Sequence, residues 1–152
     1  MDQFYIILDG SNIAFYKRTH NKKAKYSNLK TAIEFLKKLE EKYSIKWEII
    51  VDASLRHRID EKDKLEFDIK TGKINQCPNK AEADGFILSF FKRHPERTII
   101  VSNDNFEDHS ISNLTICKFV IMFDELITDP DLEELLKSKI KSLKEGKAKV
   151  DV

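Results

Sequence analysis

Four short apolar runs, rich in β-branched and aromatic residues, recur along the chain and are separated by segments with helical spacing. The runs cover residues 4–8, 47–51, 98–101 and 119–123. Continuous apolar runs of this length are typical of strands that are covered on both faces, as in a parallel sheet. Because such strands alternate with helices, the pattern predicts right-handed βαβ units and an α/β fold.

The segments between the runs carry apolar residues at intervals of three or four. The first apolar stripe consists of Leu29, Ile33, Leu36 and Leu39. It predicts an amphipathic helix, for which Ser27 is the expected N-cap. Further helices are predicted from near Ala81 to His94 and over residues 132–143. For the polar segment 59–79, a short helix and a hairpin both remain open.

Length and composition limit the class of protein. The 152 residues fit one domain, predicted at 1–145, with a charged and frayed tail at 146–152. Because 27 basic residues nearly balance 26 acidic ones, any nucleic-acid binding has to come from local clusters. Two cysteines are too few for a disulfide scaffold, and no apolar run approaches the length of a membrane span. We therefore expect a cytoplasmic domain without a membrane partner.

Three aspartates lie where strands are predicted to end or a helix to begin. Asp9 follows the first run, Asp104 follows the third, and Asp84 lies near the start of the helix between them. Ligands of open α/β sheets bind at the carboxyl ends of the strands, so we expect these carboxylates to converge. Oxygen donors favour Mg²⁺ or Mn²⁺ over zinc. Asp108 joins the same face if its loop turns helically.

Each of these acids also has a purely structural interpretation. Asp9 with Gly10 is a typical turn pair, and Asp104 and Asp108 are typical of an Asx-turn and a helix cap. Asp84 suits the start of a helix, where the helix dipole favours negative charge. The coincidence of acids at several element ends favours the metal site.

Three segments carry a resemblance to a known family. Residues 8–12 read LDGSN, residues 83–87 read ADGFI, and residues 101–108 read VSNDNFED. In this order they resemble the NYN branch of the PIN-like nucleases, and more specifically the Regnase-type ribonuclease domain that accompanies a CCCH zinc finger. The resemblance spans roughly residues 4–124, without any zinc-finger spacing. It implies a PIN-like (Rossmann-like) three-layer fold with a mostly parallel central sheet flanked by helices.

The resemblance also implies an activity: a Mg²⁺- or Mn²⁺-dependent endoribonuclease that cleaves single-stranded or loop RNA. The acids matching Asp9, Asp84, Asp104 and Asp108 would hold the metal and activate water, and Asn12 would help to fix the metal or the phosphate.

Ala83 departs from the family pattern, which has two adjacent acids at this point. Glu82 is one position further back, and neighbouring side chains on a helix point about 100° apart, so Glu82 is no direct replacement. Whether one or two metal ions act therefore stays open.

Local basic clusters are the candidates for RNA binding. Residues 17–25 hold five lysines and arginines and no acid, and the run 56–58 follows the second strand. Ser102 is added because its hydroxyl can hydrogen-bond to the acidic cluster. The predicted substrate-binding residues are Lys17, Arg18, Lys22, Lys23, Arg56 and Ser102. Phe15 and Tyr16 could stack bases, although a core role for Phe15 is favoured.

Alternative functions remain. The chain could be a catalytically weak RNA-binding module on a degenerate nuclease fold, since Ala83 has lost an acid. A phosphoacceptor domain would use Asp52, but Asp104 and Asp108 would then have no task. A DNA substrate is excluded only by the family resemblance. The helix at 132–143 either closes the sheet or forms a homodimer surface.

Overall fold

A single six-stranded sheet forms the centre of the molecule. The computed structural model describes residues 3–109 and 113–150. The strands are β1 (Phe4–Asp9), β2 (Ile45–Asp52), β3 (Asn75–Cys77), β4 (Thr98–Val101), β5 (Ile116–Met122) and β6 (Glu125–Asp129). They lie in the order β3-β2-β1-β4-β5-β6, and every neighbouring pair is parallel except β5 with β6. The predicted α/β class with a mostly parallel sheet is confirmed.

Helices cover both faces of this sheet. They are α1 (Gly10–Ala14), α2 (Tyr26–Glu40), α3 (Lys62–Lys70), α4 (Lys80–Arg93) and α5 (Leu132–Val150). Helix α4 buries Ile87 and Phe91 with Ile7 and Ile100 of the sheet in one core cluster. The other helices contribute to the larger cluster on the opposite face. The result is the predicted three-layer arrangement, in which the central strands are apolar because both of their faces are buried.

The structure corrects several local predictions. The undecided segment 59–79 forms α3 and the short strand β3, and a second strand, β6, follows β5. Ser27 is not the N-cap of α2, which begins at Tyr26, where the backbone N–H donates to Asp60 Oδ1 at 2.7 Å. Helix α5 continues to Val150, so residues 146–150 of the predicted frayed tail are helical.

The last helix belongs to the core. Leu132 and Leu136 of α5 are fully buried, so this helix packs against the sheet as predicted. A homodimer formed through its outer surface stays a prediction. No helix in the described part of the chain is both long and apolar enough to cross a membrane.

The tight junction between β1 and α1 leads to a prediction for stability. A Cβ on Gly10 would lie 2.7 Å from side-chain atoms of Ile49 and of Val51. We expect Gly10→Ala to lower the free energy of unfolding by roughly 1–3 kcal/mol, because an added methyl overpacks this contact between α1 and β2. Gly85 in α4 is the matched control, since its Cβ would meet no atom within 4 Å. Gly85→Ala should stabilise by about 0.5–1 kcal/mol.

Urea denaturation measures both variants. A Gly10→Ala protein as stable as the wild type would contradict the packing argument.

Candidate active site

One cavity of about 310 Å³ lies at the carboxyl ends of the central strands. Asp9 ends β1, Asp52 ends β2, Asp104 follows β4, and Asp84 approaches from the first half of α4. The described residues that line it are Asp9, Ser11, Asn12, Phe15, Arg18, Asp52, Ser54, Arg58, Lys80, Ala83, Asp84 and Asp104. The fold therefore brings the three aspartates singled out in the sequence into one cavity, together with Asn12.

Ser102 holds Asp9 in place. Its hydroxyl donates to Asp9 Oδ2 at 2.9 Å, and the Asn12 backbone N–H donates to Asp9 Oδ1 at 3.3 Å. The Ser102 oxygen also accepts the backbone N–H of Asp104 at 3.0 Å, so one hydroxyl connects two of the acids. Ser102 is fully buried and is not among the described residues that line the cavity. The predicted hydrogen bond of Ser102 to the acidic cluster is therefore present, whereas its contact with substrate stays a prediction.

Hydrogen bonds join the loop after β4 to α1 on one side and to β5 on the other. Asp104 Oδ1 accepts the Phe106 backbone N–H at 2.8 Å, which is the Asx-turn expected from the sequence. Asn12 Oδ1 accepts the Asn103 backbone N–H at 2.8 Å. The Asn103 side chain donates to the Phe119 carbonyl at 3.1 Å and accepts the Phe119 N–H at 2.9 Å. Asn12 therefore acts on the site by holding the loop that presents Asp104.

The acids of the cavity are poorly neutralised. Burial raises the pKa of Asp9 from 3.8 to about 6; hydrogen bonds from Ser102 and Asn12 oppose this rise, and the charges of Asp84 and Asp104 add to it. Burial also raises the pKa of Asp84, against the effect of nearby Lys80.

Among the described residues, His109 is the ion-pair neighbour of these acids, and its charge and hydrogen bond lower the pKa of Asp84. His109 Nε2 lies 3.7 Å from Asp84 Oδ2. Within the described ranges, no lysine or arginine forms an ion pair with Asp9, Asp84 or Asp104. A bound cation would relieve this accumulation of negative charge.

Among the described residues, three cationic side chains line the same cavity: Arg18, Arg58 and Lys80. Of the predicted substrate-binding residues, only Arg18 reaches it. Arg56 donates its Nε–H to His57 Nε2 at 3.5 Å and is not among the described lining residues, whereas Arg58 of the same run lines the cavity. Lys17, Lys22 and Lys23 are exposed and are not among the described lining residues.

Lys80 was missed in the sequence, although it precedes Asp84 by four residues. That spacing places both side chains on the same face of α4.

The acid missing at Ala83 is not replaced by its neighbour. Ala83 itself lines the cavity, whereas Glu82 is exposed and is not among the described lining residues. The backbone N–H of Glu82 donates to Asn79 Oδ1 at 2.9 Å, so Asn79 is the N-cap of α4 and Glu82 is an ordinary residue of its first turn. The side chain of Asp108 lies outside the described residues, and its predicted role stays a prediction.

Asp52 is buried and occupied by local hydrogen bonds. Its Oδ2 accepts from the Ser11 hydroxyl at 3.1 Å, and its Oδ1 accepts the Ser54 N–H at 3.0 Å and also the Ser54 hydroxyl. With both oxygens engaged, Asp52 connects α1 to the turn after β2. This geometry suits a structural role in that turn rather than a phosphoacceptor.

Comparison with known families shows which family the chain belongs to. The model of the Zc3h12a-like Ribonuclease NYN domain matches residues 2–126. The chain belongs to this family. A search of curated proteins found no match.

A solved structure shares the fold of this NYN domain. Nuclear proteinaceous RNase P 2 (PRORP2) from Arabidopsis thaliana has a TM-score of 0.59 and 15% sequence identity, over 82% of this chain and 29% of that one. The PIN domain endonuclease Utp24 has 14% identity and a TM-score of 0.41, over 82% of this chain and 90% of that one. The NYN domain thus spans less than a third of PRORP2, and the likeness between the two is one of fold.

The donor set of the NYN domain suits a hard cation. Within residues 3–109 and 113–150, no three His, Cys, Asp or Glu side chains are gathered closely enough to form a metal site by themselves. Mg²⁺ needs no such cage, because it keeps several waters and binds through one or two carboxylates and substrate phosphates. Asp9, Asp84 and Asp104 supply only oxygen donors and have no lysine or arginine ion-pair partner among the described residues, so they fit this mode of binding.

Proposed function

We propose that this NYN domain is a metal-dependent endoribonuclease that cleaves single-stranded or loop RNA in the cavity described above. The proposal is carried by one observation: Asp9, Asp84 and Asp104 line a single cavity with no lysine or arginine ion-pair partner among the described residues, while cationic side chains line the same space. Membership of a ribonuclease family supports RNA as the substrate.

The acids, the cations and the residues that hold the acids then have separate tasks. Asp9, Asp84 and Asp104 would hold Mg²⁺ or Mn²⁺, with Asp108 as a further ligand. Such an ion polarises a phosphate and lowers the pKa of bound water. Ser102 holds the Asp9 carboxylate in position, and Asn12 holds the loop that carries Asp104, through the hydrogen bonds given above. The lining cations would bind phosphate oxygens, which supports affinity without selecting a base sequence.

Incubation of the purified protein with end-labelled single-stranded RNA tests this proposal. We expect internal cleavage with Mg²⁺ or Mn²⁺, and none with EDTA, because the carboxylates require a cation to bring the anionic phosphate among them. A duplex of the same sequence and the matching DNA strand serve as controls for substrate class. Salt-sensitive binding without cleavage in Mn²⁺ would contradict the nuclease and favour the RNA-binding module. A cytoplasmic location stays a prediction.

A further inference from the structure

Two arginines in the cavity share one aromatic ring. The guanidinium carbon of Arg58 lies 4.6 Å from the centroid of the Phe15 ring, and that of Arg18 lies 5.0 Å from it. All three residues line the cavity that contains the aspartates. We call Phe15, Arg18 and Arg58 the Phe15 clamp.

This arrangement places two like charges beside the same ring. Within the described residues, neither guanidinium forms a salt bridge with an acid. Cation–π contact with the ring holds each group in place but does not remove the repulsion between them. An anion that accepts hydrogen bonds from both guanidinium groups would offset this repulsion. The planar guanidinium group is well suited to binding phosphate.

Backbone hydrogen bonds hold the two arginine-bearing loops together before any ligand binds. The Ala24 N–H donates to the Arg58 carbonyl at 2.8 Å, and the Asp60 N–H donates to the Ala24 carbonyl at 3.0 Å. The Phe15 ring is partly buried against the main core cluster. Little ordering is therefore required on binding, which favours affinity.

We propose that the Phe15 clamp binds a backbone phosphate of the RNA next to the one that is cleaved, with Phe15 as the positioning residue. The inference rests on the proposed nuclease function. Arg18 and Arg58 come from the connections that follow α1 and β2, whereas Asp84 and Asp104 belong to α4 and the loop after β4. The clamp and these acids thus approach from different elements, as two successive phosphates would require. Phe15 serves the cations rather than stacking a base.

Binding of a fluorescent single-stranded RNA in EDTA tests the clamp apart from catalysis. We expect Arg18→Ala and Arg58→Ala each to raise Kd about tenfold, because each removes a charged hydrogen bond. Each should also reduce the slope of log Kd against log salt by about 0.7, the value for one phosphate contact of a single strand. Arg93→Ala is the matched control, since Arg93 stacks over Phe90 at 5.7 Å and is not a lining residue of this cavity.

Phe15 is tested by two substitutions. Phe15→Leu should weaken binding and reduce the salt slope, whereas Phe15→Tyr, which keeps a ring face, should restore both. If Phe15 has only a structural role, Phe15→Leu will lower Tm and leave the salt slope unchanged, which would overturn its assignment as a positioning residue.

The two proposals fail in different ways. Clamp-dependent binding with no cleavage in Mn²⁺ would overturn the nuclease and support the clamp. Metal-dependent cleavage with unchanged Kd and salt slope in both arginine variants would overturn the clamp alone.

Discussion

Asp9→Asn is expected to reduce RNA cleavage by about 10²–10³-fold and at the same time to stabilise the protein at pH 8 in the absence of metal. The loss of activity follows from the position of Asp9, which ends β1 inside the cavity and is held by Ser102. The gain in stability follows from the energy required to keep its charge in a buried position.

The raised pKa of Asp9 determines the sign of the stability effect. Burial raises the pKa of Asp9 from 3.8 to about 6, so the folded state holds its proton more tightly than the unfolded state does. The resulting stabilisation is complete below pH 3.8 and is lost as the pH rises through 6. This rise corresponds to about 3 kcal/mol against the charged form, or roughly 5–10 °C in Tm for a chain of this size. The neutral amide removes that penalty.

Thermal unfolding at pH 5 and pH 8 in EDTA measures this effect. Asp124→Asn is the matched control, because it makes the same chemical change at an exposed turn. Added Mg²⁺ should raise the Tm of the wild type at pH 8 and leave Asp9→Asn nearly unchanged. An Asp9→Asn protein that melts below the wild type at pH 8 would contradict the assignment of Asp9 as a destabilising buried charge.

Asp84→Asn is expected to have the second large effect, again a loss of about 10²–10³-fold in cleavage rate. Burial raises the pKa of Asp84, nearby Lys80 lowers it, Asp104 raises it, and His109 lowers it. The substitution keeps the size of the side chain but removes the charge that a cation would contact. Cleavage of labelled RNA at saturating Mn²⁺ measures the loss.

Glu82→Gln is the control for Asp84 on the same helix. Because Glu82 is exposed and is not among the described lining residues, its variant should cleave within about twofold of the wild type, which is the scale of ordinary surface substitutions. If Glu82→Gln were as inactive as Asp84→Asn, Glu82 would have to belong to the active site, contrary to its position outside the cavity. Such a result would mean that Glu82 compensates for Ala83.

Much of the framework was predictable from local patterns. The strands β1, β2 and β4 are visible as apolar runs because they are buried on both faces, and α2 is visible because its buried residues recur with the helical period. The edge strands β3 and β6 lack this signal. Their inclusion depends on backbone pairing with a neighbour, such as Asn75 opposite Ile50, which no local pattern records.

The start of α2 shows how a distant contact can override a local preference. Ser27 is a good N-cap by residue type, yet Asp60 accepts the Tyr26 N–H from 34 residues away. The cap is therefore supplied by the loop after β2. Asn79 shows the opposite case, because its own side chain caps α4 three residues on.

The positions of the cavity aspartates could be predicted from the sequence, whereas those of the arginines could not. Strand polarity alone places Asp9 and Asp104 at one edge of the sheet, since parallel strands end together, and that much could be deduced from residue order. The choice of Arg58 over Arg56 could not. The short 3₁₀ turn at Leu55–His57 and the pairing of Arg58 with Ala24 set the direction of each side chain, and both depend on contacts between segments that are remote in the chain. Local patterns specify where strands end, whereas the direction of a loop side chain depends on what the loop packs against.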